Sequence, residues 1–231
     1  MKIGIIGAGN IGGALTRRFR AVGHDVAVAN SRGPASLAEL VKETGARAVS
    51  VDEAARGNDV VVVTIPLKRI EDLPSGLFAD ASANLVVIDT GNYYPQQRDG
   101  RIDGIEAGMT ESGWVQQQLG HSVVKAFNTI YAQHLLENGK PAGTPGRIAL
   151  SVAGDDRDAK ATVMQLIDEI GFDTVDAGTI EESWRQQPGS PGYCKDFDLA
   201  GVRRALSESR KERASEWRST PNSPGTYTSP A

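Results

Sequence analysis

Short apolar runs rich in β-branched residues alternate with amphipathic stretches along the first 180 residues. The runs predict strands at 2–6, 25–29, 46–50, 59–64, 85–89, 122–127, 147–153 and 174–176. Continuous apolar runs such as residues 60–63 are typical of strands buried on both faces, as in a parallel sheet covered by helices. Helices are predicted between them, at 10–22, 34–44 and 156–170. This alternation predicts a doubly wound, mostly parallel α/β fold over residues 1–180.

The last 50 residues have a different pattern, and we expect them to form a C-terminal helical extension, residues 181–231. Proline and glycine in residues 186–192 predict a loop, and residues 197–217 look helical and strongly charged. The final stretch, 220–231, is rich in Pro, Ser, Thr and Gly, which is typical of a flexible tail. We hypothesise that this extension packs on a second subunit, in a homodimer.

Composition narrows the class of protein. A net charge of -4 argues against nucleic-acid binding, and no apolar run approaches the ~20 residues that cross a bilayer. The chain opens with a strand whose glycines come too early for a signal peptide. With Cys194 as the single cysteine, no intrachain disulfide can form. We therefore expect a cytoplasmic protein without a membrane or nucleic-acid partner.

A glycine-rich loop follows the first predicted strand directly and opens the first helix. Its residues are Gly7, Ala8, Gly9, Asn10, Ile11 and Gly12, a G-x-G-x-x-G pattern. Gly7 permits a tight turn, Gly9 lets a pyrophosphate approach the backbone, and Gly12 lets helix and strand pack closely. The helix amino terminus is then free to hold phosphates. The loop predicts a dinucleotide-binding Rossmann domain.

The residues after the second predicted strand favour one nicotinamide cofactor. Sites that prefer NAD place an acidic residue there, to bond the ribose 2′-hydroxyl. This chain has Asn30, Ser31, Arg32 and Gly33 instead. Ser31 can donate to a 2′-phosphate, and Arg32 can pair with it or stack on adenine. We therefore predict NADP(H), although an incidental arginine in a surface turn is the alternative.

Ligands of a doubly wound sheet lie beyond the carboxyl ends of its strands. Ile65 and Pro66 follow the fourth strand there and can pack against nicotinamide or ribose. Asn92 follows the fifth strand, and Asn128 follows the sixth and offers a donor and an acceptor to a carboxamide. Pro66 as a strand terminator and Asn128 as a helix cap are equally good alternatives.

Four segments together resemble the coenzyme F420-dependent NADP oxidoreductase family, over about residues 1–180. They are residues 9–12 (GNIG), 30–32 (NSR), 64–66 (TIP) and 125–130 (KAFNTI). The cytosolic reductase domain of the STEAP metalloreductases is similar too. The resemblance implies that residues 8–11 contact pyrophosphate and that Ser31 and Arg32 hold the 2′-phosphate. It also implies that Ile65, Pro66 and Asn128 border the cofactor, and it fades after residue 179.

The expected activity is hydride transfer between NADP(H) and coenzyme F420, a flavin or a related small acceptor. Such chemistry resides in the cofactors, so no catalytic acid is nominated. No cluster of His, Cys and carboxylates has the spacing of metal ligands. One alternative is a dehydrogenase of a small hydroxy compound, with Lys125 or Lys195 as acid/base, which the short C-terminal part disfavours. The other is a non-enzymatic NADP(H) sensor, expected if side chains fill the space beside Asn92, Tyr93 and Asn128.

Overall fold

Six parallel strands form the central sheet of the computed structural model, which describes residues 1–223. The strands are β1 (Lys2–Ile6), β2 (Asp25–Ala29), β3 (Arg47–Ala48), β4 (Val60–Val63), β5 (Val86–Asp89) and β6 (Val123–Lys125). Their order across the sheet is β3-β2-β1-β4-β5-β6. Strands β2 and β3 are added on one side of β1, and β4, β5 and β6 on the other. The order of the strands therefore switches between β1 and β4, where a doubly wound fold places its ligand crevice.

Both faces of this sheet are buried. Val60 and Val62 of β4 pack into one apolar layer, and their neighbours Val61 and Val63 pack into the opposite layer. This alternation follows from the period of two along a strand. It explains why a strand covered on both faces has no polar position in its sequence.

Eight α-helices connect and cover the strands in the part of the chain that the structure describes. They are α1 (Asn10–Ala21), α2 (Ala38–Thr44), α3 (Val51–Ala55), α4 (Asp103–Glu106), α5 (Glu111–Leu119), α6 (Ala132–Glu137), α7 (Arg157–Glu169) and α8 (Leu199–Glu208). Short 3-10 turns occur at Pro34–Leu37, Leu67–Asp72, Ile180–Gln186 and Ser215–Trp217, and a π-turn at Pro95–Asp99. No helix within residues 1–223 is long and apolar enough to span a membrane.

A second sheet of two parallel strands, β7 (Ala149–Val152) and β8 (Asp173–Asp176), continues the first. An antiparallel bridge joins them: the Lys125 amide donates to the Ala153 carbonyl at 2.8 Å, and the Ala153 amide donates back at 3.0 Å. Helix α7 connects β7 to β8, and the apolar side of α8 packs on the second sheet through Val202 and Leu206.

The doubly wound α/β architecture is confirmed, and the predicted strands are found with ends that differ by at most two residues. The single helix predicted for residues 197–217 is wrong. Helix α8 ends at Glu208. The next residue, Ser209, has extended backbone, and its hydroxyl lies within hydrogen-bond distance of two carbonyls, Ala205 in the same helix at 2.8 Å and Arg185 in a distant loop at 3.1 Å. The charged residues that follow have no apolar stripe to hold a further helix on the core.

The described part of the C-terminal extension packs on its own chain. The Ser219 amide donates to the Glu106 carboxylate at 2.7 Å, and the Gln96 side chain donates to the carbonyls of Ser215 and Arg218. Residues 224–231 of the predicted tail lie outside the described residues. The homodimer, and the division of the chain into two parts at residue 180, stay predictions.

Candidate cofactor-binding site

Two glycines of the loop between β1 and α1 are required by the packing of the protein itself. Gly7 has a φ of 112°, and a Cβ there would collide with the backbone of Thr64. A Cβ on Gly12 would collide with the carbonyl of Gly7. Both positions need glycine for the close approach of β1, β4 and α1, whether or not a ligand binds.

Gly9 is different, because nothing in the protein requires a glycine there. Its φ is -75°, which any residue adopts, and a Cβ would have no atom within 4 Å. The space beside it is therefore open, directly at the amino end of α1. A missing side chain at such a point allows a pyrophosphate to approach the backbone.

The amino end of α1 also has no side-chain cap and no acidic residue in its first turn. By contrast, α5, α7 and α8 are capped by Thr110, Asp156 and Asp198, whose side chains accept backbone amides. The first amides of α1 are thus available at the positive end of the helix dipole. Free amides beside open space make this terminus a suitable anion site.

An Asx turn shapes the end of β2. The Asn30 side chain accepts the amide of Arg32 at 3.0 Å and also bonds Ser36. Ser31 and Arg32 are exposed, and the Arg32 guanidinium has no hydrogen bond or ion pair within residues 1–223. A shallow groove runs between this turn and residues 8–10 of the glycine loop. The free guanidinium of Arg32 therefore lies across a groove from the amino end of α1.

Of the four residues predicted to border the nicotinamide end of the cofactor, the two asparagines contact each other. Asn92 and Asn128 bond each other, since Asn128 Nδ2 donates to Asn92 Oδ1 at 3.1 Å and Asn92 Nδ2 donates to the Asn128 carbonyl at 3.0 Å. Ile65 and Pro66 are half-buried after β4, and Pro66 precedes the 3-10 turn Leu67–Asp72. Asn128 does not cap a helix, because the residue before α6 is Tyr131.

Gln186 covers Asn128, which was not foreseen from the sequence. Asn128 Nδ2 donates to the Gln186 carbonyl at 2.6 Å, and Gln186 Nε2 donates to Asn128 Oδ1 at 3.1 Å. Both side chains are buried, with 3% and 1% of their surface exposed. The space beside Asn128 is therefore filled by a side chain of the same chain.

The hydroxyls of Tyr93 and Tyr94, next to Asn92 in the sequence, are both hydrogen-bonded within the protein. Tyr93 is fully buried, and its hydroxyl donates to Glu106 and accepts the Ile102 amide at 3.0 Å. Tyr94 shares a hydrogen bond with Tyr193, so the loop that follows Gln186 is fastened to the loop after β5. Burial raises the pKa of both Tyr94 and Tyr193, and the two phenols stay protonated at neutral pH.

A buried ion pair lies beneath the asparagines. Lys125, fully buried in β6, donates to Asp89 Oδ2 at 3.1 Å and to the Gly91 carbonyl. Asp89 also accepts from Ser112 at 2.7 Å and from the Gly91 amide at 2.7 Å. Both charges are thus used to fix the loop after β5, and Lys125 has no exposed surface from which to reach a substrate.

The other titratable candidates are scattered. His24 bonds Glu169, and His134 pairs with Asp196. Burial raises the pKa of the Cys194 thiol, which keeps it protonated and weakly nucleophilic. No group of His, Cys and carboxylates within residues 1–223 is arranged to hold a metal ion.

A doubly wound parallel sheet, a glycine loop at an uncapped helix and a shallow groove beside that loop are the features typical of dinucleotide-binding α/β proteins. A family model described as NADP oxidoreductase, coenzyme F420-dependent, matches residues 2–93. The hypothetical protein SMa0349 of Sinorhizobium meliloti is 33% identical in sequence, with a TM-score of 0.72 over 85% of this chain and 95% of that one. This chain belongs to the coenzyme F420-dependent NADP oxidoreductase family, a family of nicotinamide-dependent oxidoreductases.

Other proteins share the fold or part of the sequence. A structure from Arthrobacter sp. FB24, named as an F420-dependent NADP-reductase, has the same fold at 23% identity, with a TM-score of 0.65 over 78% of this chain and 86% of that one. YjhV of Escherichia coli (strain K12) is 46% identical over 74 residues, which are 32% of this chain and 54% of YjhV. The metalloreductase STEAP3 of Rattus norvegicus is 27% identical over 180 residues, 78% of this chain and 34% of that protein. The matches thus span about half or less of these two curated relatives.

Proposed function

We propose that this protein binds NADP(H) across the carboxyl ends of β1, β2 and β4 and exchanges hydride with coenzyme F420, a flavin or a related small acceptor. The observation that carries the proposal is the open space at Gly9. The protein's own packing explains Gly7 and Gly12 but leaves Gly9 without a reason, and a pyrophosphate at the uncapped amino end of α1 supplies one.

The end of β2 supports NADP(H) rather than NAD(H). The strand ends in an Asx turn with no carboxylate at residues 30–33, and Arg32 is free to meet a 2′-phosphate. Ser31, exposed beside it, adds a hydroxyl donor. A guanidinium pairs with phosphate more strongly than with a neutral ribose hydroxyl.

When bound, the nicotinamide supplies the hydride itself. The chain's own residues bind and position the cofactor: the loop amides hold the pyrophosphate, and Ile65 and Pro66 offer an apolar surface to the ring end. Asn92, half-buried and bonded to Asn128, is placed to orient a carboxamide. Acid/base chemistry from Lys125 is not part of the proposal, since that side chain is buried and paired with Asp89.

The filled space beside Asn128 favours a second candidate, the NADP(H) sensor. A reductase needs room for a second planar ring against the nicotinamide, and Gln186 occupies the position next to Asn128. The reductase proposal therefore requires that an acceptor approach on the Asn92 side or displace Gln186.

A direct assay separates the two functions. Purified protein is mixed with NADPH and, in turn, F420, FMN, FAD, riboflavin and quinones, while the NADPH absorbance band is followed. Oxidation with one or more acceptors supports the reductase. Tight NADPH binding without oxidation by any of them would support the sensor, and absence of NADPH binding would refute both.

A further inference from the structure

A strap, residues 209–219, follows α8 and lies across the loop after β5 and the first residue of α5. None of its residues is buried, and none belongs to the apolar core of residues 1–223. Its largest apolar side chain, Trp217, is half-buried beside the rings of Tyr94 and Tyr193, with ring centroids 6.0 and 6.2 Å away. A segment with so few buried apolar contacts opens at a lower free energy than the core.

Hydrogen bonds from two other elements hold the strap on the protein. Gln96 Nε2 donates to the carbonyl of Ser215 at 3.1 Å and to that of Arg218 at 2.9 Å. The carboxylate of Glu106 accepts the amide of Ser219 at 2.7 Å. Both Gln96 bonds are exposed, so water can take their place when the strap moves away, and each adds only modestly to the stability of the closed arrangement.

Arg213 connects the strap to the loop that covers Asn128. Arg213 Nη2 donates to Glu111 Oε1 and to Gln187 Oε1, both at 2.8 Å. Gln187 follows directly on Gln186, whose side chain and carbonyl bond Asn128. The closed strap therefore supports the position of Gln186 over Asn128.

The closed arrangement leaves buried polar atoms unpaired at this contact. They are Arg213 Nη1, Gln187 Nε2 and Gln186 Oε1, which have no hydrogen-bond partner within residues 1–223. Two of them are donors and one is an acceptor, and each destabilises the closed arrangement. Burial also reduces the net benefit of the ion pair between Arg213 and Glu111, because both charges lose water. Opening returns these groups to water, which offsets the contacts that are lost.

We propose that the strap is a lid over the acceptor position: it opens together with the loop at Gln186 and so admits the acceptor beside Asn128. The identity of the molecule that enters rests on the proposed function, whereas the opening itself does not. None of residues 209–219 lines the groove at the glycine loop, so NADP(H) binds equally well with the strap closed or open. The filled space beside Asn128 is then the closed state of a reductase.

Hydrogen exchange of the full chain, measured by mass spectrometry, tests whether the strap and the Gln186 loop open together. Gln96→Ala removes two of the hydrogen bonds that hold the strap, and Gln97→Ala, an exposed glutamine of the same turn, is the matched control. We expect residues 186–194 and 209–219 to exchange faster than α5. In Gln96→Ala both should exchange about tenfold faster again, the equivalent of one or two weak hydrogen bonds. Gln97→Ala should change neither.

Kinetics test whether this opening admits the acceptor. At saturating NADPH, kcat/KM for FMN should rise in Gln96→Ala by the same factor as the exchange rate, because both scale with the fraction of open strap. NADPH affinity should stay unchanged. A strap that exchanges no faster than α5 overturns the proposal, as does faster exchange of the strap without residues 186–194 or without a gain in kcat/KM. If no acceptor oxidises NADPH in any of the proteins, the proposed function fails, and joint exchange of the two segments alone then decides whether the strap is a lid.

Discussion

The guanidinium of Arg213 donates to the fully buried carboxylate of Glu111 at 2.8 Å, across 102 positions of the sequence. This pair joins the segment after α8 to the first residue of α5. Burial raises the pKa of Glu111, while the charges of Arg213 and Lys125 oppose the shift. The pair is therefore a contact between the C-terminal segment and the core whose strength depends on pH.

Arg213→Met should destabilise the fold strongly near neutral pH and much less at about pH 5. A carboxyl whose folded pKa is raised takes up its proton in the folded state first, so stability increases as the pH falls through that pKa. Loss of the partner raises the pKa further and leaves a buried charge at neutral pH, at a cost of about 3–5 kcal/mol. Urea denaturation at both pH values measures the difference. In Glu111→Gln the effect of Arg213→Met should be small and independent of pH, and an equal loss at both pH values would contradict this account.

Gly9→Val should weaken NADPH binding by about tenfold or more without unfolding the protein. The new side chain enters space that is open in the protein and blocks the approach to the α1 amides. Titration of NADPH and a thermal melt give the two quantities. Gly12→Ala is the matched control, because its Cβ collides with the Gly7 carbonyl and should lower the melting temperature directly. Unchanged NADPH affinity in Gly9→Val would exclude this site.

Arg32→Ala should weaken NADPH binding by about 1.5–3 kcal/mol, the value of a hydrogen bond to a charged group, and leave NADH binding nearly unchanged. The 2′-phosphate is the only difference between the cofactors. Affinities for both are measured by fluorescence titration. Because Arg32 is exposed, its removal should not change stability. Equal losses for the two cofactors would refute the NADP(H) assignment.

Gln186→Ala should increase the rate of NADPH oxidation by flavins if the space beside Asn128 is where the acceptor stacks. The truncation opens this space, while Asn128 Nδ2 keeps its bonds to the backbone of residue 186 and to Asn92. Steady-state kcat/KM with FMN, at saturating NADPH, provides the readout. A rate that stays at zero in both proteins would favour the sensor.

Lys125→Met should cost about 3–5 kcal/mol of stability, because it leaves Asp89 buried without its counter-ion. The double variant Lys125→Met with Asp89→Asn should recover part of that loss. Urea denaturation of the three proteins supplies the comparison. If Lys125 were instead an acid/base, the conservative Lys125→Arg variant would lose turnover with no loss of stability, which the buried pair does not predict.

The sequence predicts the sheet well because burial leaves a direct trace in it. The run at residues 60–63 has no polar position, and both of its faces are covered in the structure. The glycine loop is equally readable, since backbone geometry restricts Gly7 and Gly12 to glycine. These features depend on residues that are close in sequence or on a strict period.

The features that the sequence did not predict join distant loops. Gln186 meets Asn128 across 58 positions and Tyr193 meets Tyr94 across 99, and no periodicity relates such pairs. The over-long helix at 197–217 has a similar cause. A run of charged residues defines no buried face, so the point where Ser209 turns the chain away is set by tertiary contacts.

The two ends of the central sheet, described above, limit how another chain can join it. On one side β3 pairs over two residues only, and on the other the bridge between Lys125 and Ala153 closes the edge of β6. Neither side offers a long row of unpaired amides and carbonyls to a strand from outside. Association of two copies through an edge of the six-stranded sheet is therefore disfavoured, and this sheet is protected from the edge-to-edge growth that leads to aggregation.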